Sequence, residues 1–321
     1  MNAGMVERAQ GCLLGQLAGD ALGSQVEFKS AKEIALLYPG GVRDLRDGGT
    51  WDTLAGQPTD DSEMALLLAR MLARTGRYDA AEAFSQYLFW MKSGPFDMGL
   101  TISGALHGRT SLASQANGAL MRISPLGIFG ARLELKSVAK MAEADASLTH
   151  PNPICLQANA LFTLAIAAAI RMPTSPQALY ERICGWSKEL GCTQEIHEWI
   201  VAAEDMPPSE YEHQQGWVRI AFGNALYRLL HATHMEEGIV DTVMCGGDTD
   251  TNAAIAGALL GAVHGIRAVP KRWLDCIRNC RPSANTRGVR RPRPEVFWPV
   301  DAMELAEALL SAARGDFEIV I

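Results

Sequence analysis

Gly11, Gly15, Gly19 and Gly23 fall four residues apart, and so do Gly257, Gly261 and Gly265. Positions four apart lie on one face of an α-helix, so each row leaves a smooth groove along one helix side. A glycine inside a helix costs about 1 kcal/mol relative to alanine, a cost tolerated where another backbone comes close. Both glycine-lined helices are therefore expected near the centre of the fold, and packing against each other is one way to fill the two grooves. A membrane dimer motif is the rival reading of such a row, but neither run is long enough to span a bilayer.

Helical periodicity runs through the rest of the chain, with no convincing series of alternating strands. Helices are expected at about 5–23, 31–37, 60–75, 79–92, 98–108, 118–128, 135–145, 154–171, 176–190, 194–203, 215–233, 238–244, 251–265, 270–278 and 301–314. The connections are short and no repeat of solenoid period occurs, so residues 1–321 read as a single all-α domain, a compact orthogonal multi-helix bundle. A hydrophobic content of 48% supplies a core, and a net charge of −7 argues against a general nucleic-acid binder. The seven cysteines contain no CxxC pair, which suggests reduced thiols in a cytoplasmic protein. At the N-terminus, Glu7 and Arg8 precede a short apolar stretch broken by Gln16 and Asp20, unlike a signal peptide. The most apolar segment, Ile154 to Ile170, is short for a spanning helix and carries Gln157, Asn159 and Thr163. A soluble monomer without a membrane segment is expected.

Two acidic stretches stand directly before apolar helices. In Gly246-Gly247-Asp248-Thr249-Asp250-Thr251-Asn252, two carboxylates lie two positions apart, which an extended or turn backbone points the same way. The two glycines permit such a loop, with a helix following Asn252. Pro58-Thr59-Asp60-Asp61-Ser62 repeats the chemistry, and Thr59 is a reasonable N-cap. Either stretch alone is also readable as an acidic, capped helix start. Together, Asp60, Asp61, Asp248 and Asp250 would neutralise two divalent ions, with Thr59 and Thr251 completing the oxygen shells: a binuclear site at helix N-termini. Elsewhere, Glu27 follows the glycine-rich helix, and Asp97 follows a Gly-Pro turn where it would also serve as an N-cap. Ser114-Gln115-Ala116-Asn117-Gly118 is a small polar loop before an expected helix, able to offer N–H groups to phosphate oxygens or to act as a plain turn.

Gly19-Asp20-Ala21-Leu22-Gly23 with Glu27, Thr59-Asp60-Asp61, Asn117-Gly118 with Met121-Arg122, Thr149-His150-Pro151-Asn152 and Gly247-Asp248-Thr249-Asp250-Thr251-Asn252 follow one another along the chain. In these motifs and their order the sequence resembles the ADP-ribosylglycohydrolases, a family with arginine-directed and serine-directed members. The resemblance implies two Mg²⁺ or Mn²⁺ ions beneath the ribose hydroxyls, an ADP-ribosylated protein as substrate and ADP-ribose as product. It implies that Glu27, a catalytic candidate with Asp97, sits on a mobile loop near the metals and closes over substrate. It also matches Asp97, between Pro95 and Gly99, to an acid that arginine-directed members place over the scissile bond and serine-directed members lack. Gly99, Ser114, Asn117, Gly118, Met121 and His150 are then expected around the diphosphate and distal ribose. Arg122 would contact phosphate or, alternatively, form a structural salt bridge. The expected activity is metal-dependent cleavage of the N-glycosidic bond to arginine. Another ADP-ribose linkage, or a catalytically silent binding relative, is the alternative.

The stretch from Arg281 to Arg293 is basic and proline-bearing. It reads as a solvated surface loop, or as a docking surface for an acidic partner or the modified target. Residues 317–321 read as a short extended segment.

Overall fold

The computed structural model describes residues 2–313. Among them are fifteen α-helices: α1 (Ala3–Gly23), α2 (Ala31–Leu37), α3 (Asp60–Thr75), α4 (Ala80–Lys92), α5 (Leu100–Leu106), α6 (Ser124–Gly130), α7 (Leu135–Ser147) and α8 (Pro153–Arg171). The series continues with α9 (Pro176–Glu189), α10 (Gln194–Asp205), α11 (Val218–His231), α12 (Met235–Val243), α13 (Thr249–His264), α14 (Lys271–Asn279) and α15 (Ala302–Ala312). The described residues form no sheet, only isolated bridges that tie loops together, so the fold is all-α as expected. The extended segment expected at 317–321 lies outside the described residues.

Helices α1 and α13 cross the centre of the molecule antiparallel, glycine row against glycine row. A β-carbon on Gly15 would lie 2.1 Å from the Gly257 carbonyl oxygen, and one on Gly257 would lie 2.2 Å from the Gly15 carbonyl. The same close approach recurs from Gly11 to Gly261 and from Gly19 to Ala253, and it ends where Gly23 meets the backbone of Asp250. Every residue of α1 from Ala9 to Gly23 is buried, as is α13 from Thr249 to Ala262. Around this pair pack α15, α11, α12 and α8, with α3 and α6 beyond them.

Two expectations change. The helix expected from 118 begins only at Ser124, with Pro125 in its first turn, where a missing N–H costs no intrahelical bond. Residues 117–123 form turns instead, held from the core by Gln16, whose amide donates to the Met121 carbonyl at 2.9 Å. Helix α8 is long and apolar enough to cross a bilayer, contrary to the expectation that it is too short. It is nonetheless a core helix: 83% of its most apolar window is buried, and Asn159 and Thr163 donate to carbonyls one turn back.

The glycine contacts yield a test. Gly15→Ala gives the helix a better residue but drives a methyl into a carbonyl, so it should destabilise by about 3 kcal/mol, the upper end of overpacking costs. Gly185 in α9 faces open space, so Gly185→Ala should instead stabilise by up to about 1 kcal/mol. Denaturant melts of the two variants check the contrast, which fails if both shift in the same direction.

Candidate metal centre and cavity

The acidic stretch at 246–252 is built by its glycines. Gly246 and Gly247 both adopt left-handed φ, +77° and +74°, and a β-carbon on Gly247 would sit 1.9 Å from the Tyr211 carbonyl. The helix then starts at Thr249 rather than after Asn252, so the two carboxylates do not share an extended segment. Asp248 is the residue before the helix and Asp250 lies in its first turn. They converge because Asp248 stands outside the helical backbone, while the Thr249 hydroxyl donates to the Gly23 carbonyl at 2.7 Å and docks the turn on α1. Glu27 joins them. Phe28 N–H donates to the Gly247 carbonyl and Gly247 N–H to the Lys29 carbonyl, which brings the Glu27 loop alongside. One oxygen each from Glu27, Asp248 and Asp250 lie within 4.8 Å of one another.

The second acidic stretch is organised by a residue to which the sequence assigned no role. Asp20, fully buried on α1, accepts from the backbone N–H groups of Thr59 and Ser62 at 3.1–3.2 Å. It therefore caps α3 from another helix. Thr59 occupies the N-cap position, but its side chain makes no capping bond; its hydroxyl lies 2.9 Å from Asp20 and 3.0 Å from Asp61. Thr251 lies close enough to Asp61, and Asp60 close enough to Asp97, to act on those acids' proton affinities. The sequence signals for Asp20 are its place in the Gly19-Asp20-Ala21-Leu22-Gly23 motif and its being an acid within an otherwise apolar, glycine-lined helix.

Burial, and then mutual repulsion, push the acids upward. Glu27 rises to about 8, through desolvation first and then the charges of Asp248 and Asp97. Desolvation also lifts Asp97 to about 6 and Asp20 to about 6, while Asp60, Asp61 and Asp250 are held well above the ordinary carboxylate range. Asp61 Oδ1 and Asp250 Oδ2 are buried without any hydrogen-bond partner. Buried, unpartnered carboxylate oxygens among hydroxyls are what a hard divalent cation takes as ligands. The donor set fits such ions, with Glu27, Asp60, Asp61, Asp248 and Asp250 as the acids and Thr59 and Thr251 beside them.

Glu27, Asp60, Asp97 and Asp248 line one side of a cavity of ≈ 390 Å³, a volume suited to a nucleotide-sized ligand. Gly99, Asn117, Gly118, Met121 and His150 line it as well. Asn117 is not free to meet a ligand with its amide: Nδ2 donates to Asp248 at 2.8 Å and so orients that carboxylate. Ser114 lies off the cavity, with its hydroxyl against that of Thr101 at 2.8 Å. Arg122 is the clearest correction among the phosphate-contact expectations. It is fully buried, pairs with Asp145 at 3.0 Å, donates to Thr149 and lies over the Tyr87 ring. The structural salt bridge is its role.

That bridge still reaches the cavity. Thr149 accepts from Arg122, and its hydroxyl lies 2.8 Å from His150 Nδ1, with the donor of that bond set by the ring tautomer. The other ring nitrogen, Nε2, is buried without a partner. Desolvation, reinforced by the Arg122 charge, lowers the histidine to about 3 and keeps it neutral.

The family described as ADP-ribosylglycohydrolase matches residues 1–316. The chain belongs to that family. This ADP-ribosylglycohydrolase is 32% identical to the ADP-ribosyl-[dinitrogen reductase] glycohydrolase of Rhodospirillum rubrum, over 84% of this chain and 90% of that one. It is 25% identical to the ADP-ribosylarginine hydrolase Tri1 of Pseudomonas putida over 96% and 83%. Against ADP-ribosylhydrolase ARH3 of Bos taurus the identity is 24% over 84% and 88%. A solved structure titled ADP-ribosylglycohydrolase-related protein complex superposes with a TM-score of 0.78 at 25% identity, covering 97% of this chain and 99% of that one.

Two outcomes follow for the glycohydrolase. Freed of metal, it keeps protons on Asp20, Asp97 and Glu27 up to about 6–8, whereas the unfolded chain releases them near pH 4. The folded state then binds more protons at these groups, so their contribution to stability is fully present below about pH 4 and is lost as pH rises towards 8. Melts with chelator at pH 5 and pH 8 should show this fall, and added Mg²⁺ or Mn²⁺ should raise the melting temperature most at pH 8. A chelated protein that gains stability over that range, or ignores both ions, contradicts the shared acidic site. For Arg122→Ala, a stability loss of about 3–5 kcal/mol is expected, because Asp145 is left buried and uncompensated. A selective loss of ADP-ribose affinity without that destabilisation would restore the phosphate role.

Proposed function

We propose that this ADP-ribosylglycohydrolase removes ADP-ribose from modified arginine side chains by hydrolysing the N-glycosidic bond at the ribose C1 atom. The observation that carries the arginine reading is Asp97. It lines the acidic cavity from the 93–99 loop, beside Asp60, and burial raises it to about 6. Similarity to relatives named for ADP-ribosyl-[dinitrogen reductase] and for ADP-ribosylarginine supports it. The ARH3 relatives keep a second reading, hydrolysis of another ADP-ribose linkage, as the alternative.

The chemistry asks little of many residues and much of a few. A guanidine departs from C1 with the electron pair of the C–N bond, so it must stay protonated until that bond breaks if it is to leave neutral. Asp97 against the guanidinium holds that proton in place and, with its raised pKa, exchanges protons near neutral pH. Glu27, Asp60, Asp61, Asp248 and Asp250 with Thr59 and Thr251 would hold two divalent cations, Mg²⁺ or Mn²⁺. When bound, these ions would supply Lewis acidity and a more acidic water. The unpartnered His150 Nε2 and the Gly99 and Gly118 backbones border the length of cavity left for the diphosphate and distal ribose. The seven cysteines, all unpaired, suit a reducing compartment, and we place the reaction in the cytoplasm.

The test is release of ADP-ribose from an arginine-modified protein, beside a serine-modified control, with Mg²⁺ or Mn²⁺ and with chelator. Metal-dependent release from arginine is expected, and Asp97→Asn should lower kcat by about 10²–10⁴-fold, the range for losing a general acid–base group. Asp250→Ala should abolish it. Release from serine with Asp97→Asn unaffected would transfer the assignment to the other linkage.

A further inference from the structure

We propose that Arg293 and Arg291, in the C-terminal arginine-rich segment, are positioning residues that fix the two acid-bearing loops against α3 at the cavity mouth. The inference rests on the arginine-hydrolase reading for its kinetic consequences, but not for its geometry. Arg281, Arg287 and Arg290 are exposed, as a solvated loop would have them. Arg293 is not: only 6% of it is accessible.

The Arg293 guanidinium forms a two-point pair with Glu63, 2.7 Å from each carboxylate oxygen, and Trp90 Nε1 donates to Glu63 at 2.8 Å. Its remaining donors reach the Ser93 and Gly94 carbonyls at 3.1 Å and the Ser93 hydroxyl at 2.8 Å. Ser93 and Gly94 open the loop that carries Asp97. Glu63 lies in the first turn of α3, three residues after Asp60 and two after Asp61. A single guanidinium thus ties the Asp97 loop to the same helical turn that presents Asp60 to Asp97. Its planar fork satisfies both partners at once, which an ammonium cannot do.

Arg291 makes the second tie. Its Nε donates to the Trp51 carbonyl at 2.9 Å, and its guanidinium lies 5.9 Å from the Phe96 ring centre, next to Asp97 in sequence. Trp51 packs against Phe96 on one side and Phe28 on the other, at 5.9 and 6.2 Å between ring centres. Its indole N–H donates to the Glu27 carboxylate. Phe28 itself holds a left-handed φ of +66°, an unfavourable backbone for a bulky residue, so the Glu27 loop needs an external support. The row Phe28–Trp51–Phe96–Arg291 provides one.

Three variants test the proposal: Arg291→Ala, Arg293→Lys, and the double variant Glu63→Gln with Arg293→Met, which avoids leaving a buried charge unpaired. Kinetics on an arginine-linked substrate are read together with ADP-ribose affinity and hydrogen exchange of the 93–99 amides. The double variant should lose about 10²-fold in kcat, the scale of an ångström misplacement, with KM and ADP-ribose affinity within about twofold. Exchange at 93–99 should quicken by about tenfold or more as local opening becomes easier. Arg293→Lys should fail to rescue either readout, and Arg291→Ala should lose about tenfold in kcat with affinity kept. Unchanged kcat in folded variants, or affinity falling in step with kcat, overturns the proposal. If the double variant does not fold, the two single variants decide by the same readouts. Should the wild-type protein spare arginine linkages altogether, the function reading fails separately. Exchange at 93–99 then decides the clamp alone: quickened exchange sustains it and unchanged exchange removes it.

Discussion

Everything at the site depends on two helical backbones touching. Where Gly15 meets Gly257 and Gly19 meets Ala253, no side chain separates α1 from α13, so carbonyl lies against α-carbon along the contact. Such a contact has almost no freedom to slide, because any shift brings a bulkier neighbour into the groove. Its last step, Gly23 against Asp250, is already part of the site. The rigid axis thus delivers Asp250 at a fixed place, and from the same end of α1 Asp20 reaches across to cap α3 and set Asp60 and Asp61. A polar residue at full burial in a glycine-lined helix is costly, and here the cost is offset by the helix start it organises.

The acids so assembled work against the fold. Six carboxyl groups gathered at one site repel, and burial removes the water that would screen them, which is why Glu27, Asp60, Asp61, Asp97 and Asp250 all hold their protons more tightly. Such a site is stabilised only by protons or by cations. Proton loss above neutral pH and cation binding are therefore opposite faces of one electrostatic constraint. The pair Arg122–Asp145 shows the contrasting solution. There a buried charge is matched at 3.0 Å and covered by Tyr87, while burial and the Arg122 charge keep the neighbouring His150 neutral at the cavity wall.

How much of this the sequence disclosed depends on whether a residue's role was local. The glycine rows announced the central helix pair, since spacing alone implies a groove. The acidic helix starts announced the donor set, because carboxylates and hydroxyls at a helix N-terminus have few other uses in such density. Residues that act across the chain gave no such sign. Asp20 caps a helix that begins 40 residues later, Trp51 supports a glutamate 24 residues earlier, and Arg293 pairs with Glu63 across 230 residues. No periodicity encodes those distances. Arg122 misleads for the same reason: its sequence neighbours belong to the cavity wall, while its partner Asp145 lies on α7.

The division of labour that emerges bears on how linkage preference can vary on one scaffold. The donor set stands on α3 and α13 and on a loop zipped to them, so it is fixed by packing that cannot change without loss of the fold. Asp97 stands on a seven-residue stretch between α4 and α5, attached through backbone carbonyls to one guanidinium and through Phe96 to another. Backbone carbonyls are indifferent to sequence, so the anchor survives while the loop's own residues change. A carboxylate over the leaving group can then be gained or lost there without disturbing the acids beneath it. On the proposed reading, recognition of ADP-ribose would belong to the rigid part of the site, and discrimination of what it is attached to would belong to the anchored loop.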